Sequence, residues 1–511
     1  MTEFRARSQL GRVVVVGGGT AGWMTALMAH RFLPEAAITV VEDPEVGVIG
    51  VGEGTTPHFV QRFLDVVGIP VSLLVQEAGA TIKNCFRHTD WNGDGASYHH
   101  PFEDHVTPRV DIASVHPDAP WHDGEFSFAS RACDRERVIF ERRPDVDPTL
   151  DAILNLHAHG SFALHFDAVR LAELLGRVAT SRGVAHVRGR VGTFERDAAG
   201  NVVELRLDDG RALATDFVFD CSGLARLVVG KLHGTRWHDA SPWLPCDRAL
   251  PFFLPTEAPL PVYSESRAMR NGWLWTIPVQ GRLGCGYVFD SRMTSAEACL
   301  RELQERLGPT VAPVRTIDFS PGWFDRPWVH NCVAIGLSSG FLEPLEATSI
   351  WFAVVALNEL FRRQLALGDE RARADFNAWF GLLMQRGLDF VHLHYLGRRR
   401  DTPFWSTFRD RTRRPDGVAQ ALAPDGWRNW AGDDAGAAGN PLPFPWTSWR
   451  AVAGGTGNLD RSAVSRYWHY YGLHPGWPER REAEQARIDA VVARCLDHGT
   501  CLRLLGAPPG R

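Results

Sequence analysis

The sequence predicts an α/β fold in which a mixed sheet forms a first module and a largely helical module follows. Near the start, RVVVVGGGTAGWMTALMAHRF is typical of a buried strand, a glycine turn and a helix, and AAITVVED supplies a second strand. Later, NCVAIGLSSGFLEPLEATSIWFAVVALNELF gives a strand, a loop and a long amphipathic helix. Beyond about residue 366, helical patterns alternate with loops rich in Gly, Pro and Asp, so we place the modules at 8–370 and 371–511.

The composition excludes several classes of partner. With 44% hydrophobic residues, 23% charged residues and a formal charge of -5, the chain lacks the basic runs that bind nucleic acid. No apolar stretch approaches the ~20 residues that span a bilayer, and the first apolar run passes straight into glycines, unlike a secretion signal. Nine cysteines form no CxxC pair, which favours free thiols. We therefore expect a cytoplasmic protein with a small-molecule ligand, no membrane and no nucleic acid.

The glycine turn after the first strand predicts a dinucleotide site. A GxGxxG turn between a buried strand and a helix lets a pyrophosphate approach the helix N-terminus, and an acid that ends the next strand accepts hydrogen bonds from a ribose. The expected contacts are Gly17, Gly19, Thr20, Ala21, Gly22 and Glu42. Two further segments, VGVIGVGEGTTP (46–57) and VAIGLSSGF (333–341), favour FAD over NAD, because a flavin takes contacts from distant parts of a chain.

Lysine is nearly absent from this chain. Only Lys83 and Lys231 occur, against 53 arginines, so arginine has taken over nearly all surface and ion-pair positions. A lysine retained in AGATIKNCFRHTDW therefore indicates a task that arginine cannot perform. A primary amine can lose its proton and take part in chemistry, whereas a guanidinium stays charged. Lys83 is the candidate for that chemistry, and Lys231 is expected to be a solvated residue.

A tryptophan-rich strand connects these features to a known family. Residues 273–278, WLWTIP, fit a WxWxIP pattern. It occurs in order with GGGTAGW, GVGEGTTP, the Lys83 segment, DCSG (220–223), GYVFDS (286–291), GLSSGFLEPLEATSI (336–350) and RRDTPFW (399–405). Together these motifs resemble the flavin-dependent halogenases of the tryptophan-halogenase-like family. The resemblance covers most of the chain to about residue 405.

The resemblance implies an activity and its cofactors. Reduced FAD would react with oxygen, and a halide ion, chloride or bromide, would be oxidised to hypohalous acid that travels to Lys83. Because the sequence contains one dinucleotide fingerprint, a separate flavin reductase is expected to supply the reduced flavin. Trp273 and Trp275 would form a barrier that keeps the aromatic substrate away from the flavin. A homodimer is compatible with the family.

The same resemblance assigns the remaining site residues. Lys83 and Glu346 would be catalytic, with Glu346 at the start of a helix, where it would stabilise a cationic ring intermediate and accept the ring proton. Thr348 and Ser349 would bind the halide, His100 and Phe102 would stack on the substrate ring, and Val191, Leu337 and Ile350 would contact the flavin. The stretch SYHHPFEDH has no standard ligand spacing, so no metal is expected, and HLH (392–394) is expected to be structural.

The substrate stays open at this stage. Tryptophan halogenases of the family hold the amino-acid end of their substrate with a Tyr-Tyr pair and a following glutamate, but here no glutamate follows Tyr470-Tyr471 before Glu479. Position 347 is alanine where those enzymes usually have serine. Seven of the eighteen tryptophans lie after residue 400, which is typical of an aromatic substrate module or of large core fillers. An indole, a tryptophan-like compound or another electron-rich ring fits. An FAD-dependent aromatic hydroxylase and a non-catalytic FAD-binding protein are the alternative functions.

Overall fold

The computed structural model describes most of the chain and shows an α/β protein built on two large sheets. The described residues are 10–47, 53–107, 127–143, 156–256, 259–362, 369–411, 414–422, 444–459 and 477–508. Tyr470 and Tyr471, and several of the late tryptophans, lie outside them. The predicted combination of a mixed sheet with many helices is confirmed.

The first large sheet contains the predicted strand, turn and helix. Its six strands, in spatial order, are Ala185–Arg188, Ala37–Glu42, Arg12–Val16, Phe217–Asp220, Cys332–Ala334 and Trp328–Val329. The first five run parallel and the last is antiparallel. Val13 and Val15 pack into the main core, whereas Val14 and Val16 pack into a second apolar cluster. A strand covered on both faces explains why its sequence is a continuous apolar run.

The second large sheet carries the WxWxIP strand at its centre. Its seven strands, in spatial order, are Ile317–Asp318, Arg248–Pro255, Arg282–Phe289, Gly272–Val279, Tyr263–Met269, Cys85–Thr89 and Ser97–Pro101. Tyr263–Met269 pairs in parallel with Cys85–Thr89, and the other pairs are antiparallel. The sheet therefore joins the tryptophan strand to the segment that follows Lys83.

Four smaller sheets complete the strand inventory of the described residues. Their strands are Val191–Arg196, Val202–Leu207 and Ala212–Ala214; Trp237–Asp239, Gly322–Phe324 and Gly340–Phe341; Glu53–Gly54, Ala163–Phe166 and Thr81–Lys83; and Phe140–Arg142 with Leu156–Ala158. Lys83 ends a strand of the third of these sheets, opposite Ala163. The short sheet fixes its backbone on one side.

The helices cover the sheets and supply the late site residues. The α-helices are Thr20–Phe32, Pro57–Phe59, Asp65–Val67, Val71–Glu77, Phe128–Asp134, Ala168–Ser181, Ala296–Leu307, Thr348–Arg362, Glu370–His394, Pro403–Arg411, Asp416–Ala421, Trp446–Gly455, Trp477–Arg494 and His498–Leu504. Shorter turns of other helical types are Val60–Leu64, Gly223–Ala225, Leu227–Leu232, Gly336–Ser338 and Leu345–Ala347.

The long helix Glu370–His394 is anchored in the same core as the first module. Phe376, Phe380 and Leu383 are buried in the cluster that also contains Val13 and Val15. Its C-terminal residue, His394, and the following Tyr395 are buried against Trp91, which lies between the strands Cys85–Thr89 and Ser97–Pro101. The second module thus contributes directly to the interior of the first, and the module boundary at residue 370 stays a prediction.

Two further features concern the described residues. No single helix among them is long and apolar enough to cross a membrane, although the bent pair Pro57–Val67 and Val71–Glu77 passes the length and composition test when taken together. All nine cysteines are buried and carry free thiols in this structure.

Candidate active site

The glycine turn has the close approaches that a dinucleotide site needs. Gly17 has φ of +119°, and a Cβ there would lie 2.2 Å from the Cys221 carbonyl oxygen. A Cβ at Gly22 would lie 1.9 Å from the Gly17 carbonyl oxygen. A Cβ at Gly19, by contrast, would meet nothing within 4 Å, so open space lies in front of the helix that begins at Thr20. That space is where an anion would meet the helix N-terminus.

The N-terminus of this helix lacks the usual partners of its free amides. Gly19 offers no side-chain cap, and the first turn contains no acidic residue. The Thr20 hydroxyl is buried and has no hydrogen-bond partner among the described residues. Helix N-termini carry unsatisfied N–H groups and partial positive charge. The turn is therefore suited to a diphosphate.

Two glycine substitutions separate the fold from the cofactor site. We expect Gly17→Ala to lower the free energy of unfolding by about 2 kcal/mol or more. The backbone at position 17 has a positive φ, and the alanine Cβ would overlap backbone atoms of Cys221. Gly19→Ala should leave the thermal stability of the flavin-free protein unchanged, since its φ of -78° suits alanine and the space is open. It should weaken flavin binding about tenfold or more, which is on the order of 1.4 kcal/mol. Thermal unfolding and flavin fluorescence titration measure the two effects, and equal flavin affinity in Gly19→Ala would argue against this site.

Glu42 lies where the sequence predicts the ribose contact. It ends the strand Ala37–Glu42, and a Cβ at Gly18 would come within 2.6 Å of its carboxyl carbon. Its Oε2 lies 2.7 Å from His186 Nε2. Val191 begins a strand of the neighbouring small sheet and is half-buried against the cluster that contains Val41. The roles of Glu42 and Val191 toward a nucleotide stay predictions.

The late segment around Leu337 reaches the glycine turn, as the sequence predicts for a flavin. A Cβ at Gly336 would lie 2.8 Å from the Ala21 Cβ, and Gly336 has φ of +70°. The Ile335 amide donates to the Asp220 carbonyl oxygen at 3.0 Å, which links this segment to the end of the strand Phe217–Asp220. Leu337 packs against the main core, and Ile350 is buried in the first turn of Thr348–Arg362.

Lys83 is fully buried, which is exceptional for a lysine. Its Nζ donates to the Thr55 carbonyl oxygen at 3.0 Å and lies 3.2 Å from the centre of the Phe86 ring. The Phe102 ring centre is 5.7 Å away. Burial lowers the pKa of the Lys83 amine well below its ordinary value, and the opposing effect of Glu346 does not offset it. The site can therefore hold this amine uncharged.

Glu346 is the centre of a buried hydrogen-bonded cluster. Its Oε1 lies 2.8 Å from His88 Nε2 and 3.0 Å from His394 Nε2, and its Oε2 lies 2.7 Å from His100 Nδ1. Burial by itself raises the pKa of Glu346, but the interactions with His100 and the hydrogen bonds with His394 and His88 bring it well below the ordinary value. The carboxylate is therefore ionised despite its burial.

The backbone at Glu346 differs from the sequence expectation. The α-helix begins at Thr348, and Glu346 lies in the preceding turn Leu345–Ala347 rather than in the first helical turn. Glu346 has φ of 64° and Ala347 has φ of 53°, and such left-handed conformations cost a non-glycine residue about 1–3 kcal/mol each. The turn aims the carboxylate away from the helix and into the three histidines. The expected position of Glu346 at the start of the helix is therefore shifted by two residues, and its catalytic role stays a prediction.

The predicted substrate residues lie beside this cluster. His100 is on the strand Ser97–Pro101, and its ring stacks on Phe86 with centres 5.7 Å apart. Phe102 meets Phe86 edge to face at 5.8 Å, and Ala347 packs against the same apolar group. Phe86 therefore has Lys83 Nζ, His100 and Phe102 around it. The structure brings Lys83, Glu346, His100 and Phe102 together in one buried group, and their roles toward a substrate stay predictions.

Trp273 and Trp275 form a buried aromatic wall. Their side chains share one face of Gly272–Val279, with ring centres 6.2 Å apart. Trp273 Nε1 donates to the Tyr395 hydroxyl at 3.0 Å, and that hydroxyl donates to the Glu343 carboxyl group. A Cβ at Gly286, on the adjacent strand, would lie 2.0 Å from the Trp275 ring, so this glycine makes room for the indole. Their role as a barrier stays a prediction.

Thr348 and Ser349 begin the helix that follows Glu346. Thr348 is buried and its hydroxyl donates to the Glu343 carbonyl oxygen at 3.1 Å, which leaves the backbone N–H groups of the first turn as the anion donors. A helix N-terminus of this kind suits a halide in principle. The halide role of Thr348 and Ser349 stays a prediction.

The sequence analysis missed two residues of the cluster, His88 and His394. HLH was expected to be structural; in the structure His394 reaches Glu346, and its role stays a prediction. His392 instead contacts the Trp243 carbonyl oxygen at 3.1 Å. Only the position of His88 could have been predicted from the sequence. It lies two residues after Phe86 on one strand, so the two side chains point to the same face of the sheet. No pattern in the sequence pairs residue 394 with residue 346.

Comparison with known proteins places this architecture in a class. A family profile described as tryptophan halogenase matches residues 12–466. The tryptophan 7-halogenase RebH of Lentzea aerocolonigenes is 33% identical over 445 residues, which is 81% of each chain. The solved structure of Xcc4156, a flavin-dependent halogenase from Xanthomonas campestris, is 29% identical and has a TM-score of 0.82, with 98% of this chain and 99% of that chain covered. Tar14, a tryptophan C-6 flavin-dependent halogenase from taromycin biosynthesis, is 28% identical with a TM-score of 0.86, covering 97% and 99%.

Fold, sequence and neighbours thus define a flavin-dependent halogenase, which confirms the predicted class of enzyme. Within that class, the chain belongs to the tryptophan halogenase family. The family implies a flavin, and the open space at Gly19, the unpartnered Thr20 hydroxyl and the close approach of Gly336 to Ala21 fit such a cofactor.

Proposed function

We propose that this protein catalyses the FADH2- and O2-dependent halogenation, with chloride or bromide, of an electron-rich aromatic compound, through hypohalous acid that is relayed to Lys83. The observation that carries the proposal is the fully buried Lys83 amine, held at the Thr55 carbonyl oxygen in an aromatic pocket beside an ionised carboxylate. When bound, the flavin supplies the oxidising chemistry that converts halide into hypohalous acid. The reduced flavin comes from a separate reductase in this proposal.

Burial of Lys83 favours the uncharged amine that a halogen relay requires. An uncharged amine can take up the halogen from hypohalous acid, so that an N–halogen bond forms and water leaves, or it can bind the acid through a hydrogen bond. Transfer to the ring then returns the amine. An arginine in the same place would stay charged in either case. The low polarity around Phe86 and Phe102 favours the uncharged form.

Glu346 supplies the negative charge that electrophilic substitution needs. The ring intermediate is cationic, and a fixed carboxylate in a dry pocket stabilises such charge far more than it would in water. The carboxylate already accepts three hydrogen bonds, so it is held in place before the substrate binds. His100 and Phe102 would place the ring between this charge and Lys83.

The substrate class follows from the pocket and from the relatives. RebH and Tar14 are named for halogenation of tryptophan at C-7 and C-6. We infer that an indole or a tryptophan-like compound is the substrate, because Phe86, His100 and Phe102 form an aromatic group beside Lys83 and planar rings pack well against aromatic side chains.

A product analysis tests the proposed function. The purified protein, an added flavin reductase, NADH and FAD are incubated in air with chloride or bromide and a panel of indoles that includes tryptophan. Mass spectra should show the chlorine or bromine isotope pattern in at least one product. An oxygenated product that forms equally without halide would identify an aromatic hydroxylase instead, and flavin binding without oxygen and substrate consumption would identify a non-catalytic protein.

A further inference from the structure

The hydrogen bonds of His394 fix where its ring protons are. Nδ1 lies 3.0 Å from the Phe390 carbonyl oxygen, which can only accept, so Nδ1 carries a proton. Nε2 lies 3.0 Å from Glu346 Oε1. If Nε2 had no proton, its lone pair would face the carboxylate oxygen. In a cluster without a metal ion, one further proton must therefore lie between His394 and Glu346, either on the imidazole or on the carboxyl group.

His88 makes a similar contact but needs no charge. Its Nε2 lies 2.8 Å from the same Oε1, and its Nδ1 is buried with no partner among the described residues. A neutral ring with its single proton on Nε2 satisfies this arrangement. Burial lowers the pKa of His88 to about 4, which agrees with a neutral ring. A neutral ring therefore accounts for the contact of His88 with Oε1, whereas the contact of His394 needs one more proton.

The carboxylate side of the pair favours ionisation. Glu346 Oε1 is in hydrogen-bond contact with His88 and His394, and Oε2 with His100, so both oxygens have a partner. Carboxylates that accept two or three hydrogen bonds are stabilised as anions. The other ionisable groups that face the cluster are Lys83, at the end of Thr81–Lys83, and Tyr98, on Ser97–Pro101, and burial disfavours a charge on each of them. The compensating cation must therefore come from a histidine. Among the described contacts of the three histidines, only His394 has an acceptor at each ring nitrogen, whereas His100 contacts Glu346 through Nδ1 alone.

We propose that His394 carries both ring protons and, as an imidazolium, is the counter-charge that keeps Glu346 ionised and oriented next to Lys83. His394 is a positioning residue in this scheme, because it acts on the substrate only through Glu346. The consequence for turnover rests on the proposed halogenation, whereas the protonation state does not.

A metal ion is the competing occupant of the same cluster. One ligand atom each from His88, Glu346 and His394 lie within 4.8 Å of one another, which is close enough to surround a cation. The distances of 2.8 and 3.0 Å between nitrogen and oxygen are those of direct hydrogen bonds. The Nδ1 proton of His394 permits either occupant, so the choice between proton and metal is made by experiment.

The protonation state is measured without reference to activity. Protein labelled with 15N in its histidines should show an imidazolium signal, with both ring nitrogens protonated, near neutral pH. It should vanish in His394→Gln and persist in His88→Gln. A wild-type His394 with one protonated nitrogen would overturn the proposal. A stoichiometric metal ion in the purified protein, found by elemental analysis and lost in His394→Gln, would overturn it as well.

The kinetic consequence uses the same pair of variants. Glutamine at either position can still donate an amide N–H to Oε1, but only His394→Gln removes a positive charge. Loss of that charge raises the pKa of Glu346, so the acid limb of the kcat/KM profile for halogenation should move to higher pH by about one unit or more. His88→Gln should leave the position of that limb within about 0.3 unit. Equal shifts in both variants would contradict the assignment, and a protein without halogenase activity would leave the spectroscopic result to decide it.

Discussion

Replacement of Lys83 by methionine or by arginine is expected to abolish halogenation while flavin binding and oxygen consumption continue. The reducing equivalents should then leave as hydrogen peroxide, because Lys83 lies in the aromatic pocket, whereas the glycine turn that suits the flavin is built from Gly17, Gly19 and Gly22. Arginine retains positive charge and hydrogen-bond donors but cannot become an uncharged amine. Oxygen uptake, peroxide release and halogenated product are measured in one reaction mixture.

The two Lys83 variants also differ in stability. Methionine fills a similar volume without a buried amine. The free energy of unfolding of Lys83→Met should therefore exceed that of wild type by on the order of 1 kcal/mol, and the variant should unfold at a higher temperature. Because the folded state lowers the pKa of Lys83, the unfolded chain binds more protons below its ordinary pKa, and this lysine destabilises the fold at neutral pH. The difference between wild type and Lys83→Met should shrink as the pH rises toward 10.5, the ordinary pKa of lysine. A pH-independent difference would argue against an uncharged Lys83.

Glu346→Gln should slow halogenation by on the order of 10² or more, because it removes a preorganised negative charge from a dry pocket. The amide also faces three donors with only one acceptor oxygen, so one or more of the histidines loses its partner. Flavin binding and oxygen uptake should stay near the wild-type values. Single-turnover measurements of product formation give the rate without interference from product release.

Glu343→Gln is the matched control for Glu346→Gln. Glu343 is also fully buried and lies three residues earlier, but burial raises its pKa to about 8, so it is protonated near neutral pH. Its carboxyl group accepts a hydrogen bond from the Tyr395 hydroxyl, and the neutral amide of glutamine can accept the same bond. We expect less than a threefold change in halogenation rate for this variant, on the order of 0.6 kcal/mol. Similar losses in both variants would mean that packing, rather than the charge at position 346, sets the rate.

The sequence was sufficient for the features that depend on local pattern. A strand, turn and helix with glycines at fixed spacing predicts a tight turn, and the structure shows that a Cβ at Gly17 or at Gly22 would overlap backbone atoms there. The retained lysine pointed to Lys83 because so few lysines occur in the chain. Both arguments use a residue type that is unusual for its position, and such information is present in a single sequence.

The cluster around Glu346 could not be derived in the same way. Its histidines come from positions 88, 100 and 394, and their convergence depends on the register between two strands and on the end of a long helix. The left-handed backbone at Glu346 and Ala347 gives no signal, because neither residue type favours positive φ. For this reason the helix begins at Thr348, two residues later than the sequence predicts. The direction of the Glu346 carboxylate could not be predicted either, because it depends on this turn.

Trapping of free oxidant tests the relay through Lys83 most directly. Wild-type protein turns over with bromide and its best indole in the presence of excess free methionine, which consumes hypohalous acid in solution, and the ratio of halogenated product to oxygen consumed is recorded. We predict that this ratio is nearly unaffected by methionine in wild type and falls to the level of a protein-free control in Lys83→Met. A wild-type ratio that collapses with methionine, together with undiminished product from Lys83→Met in its absence, would show that the halogen reaches the ring through solution and not through the buried amine.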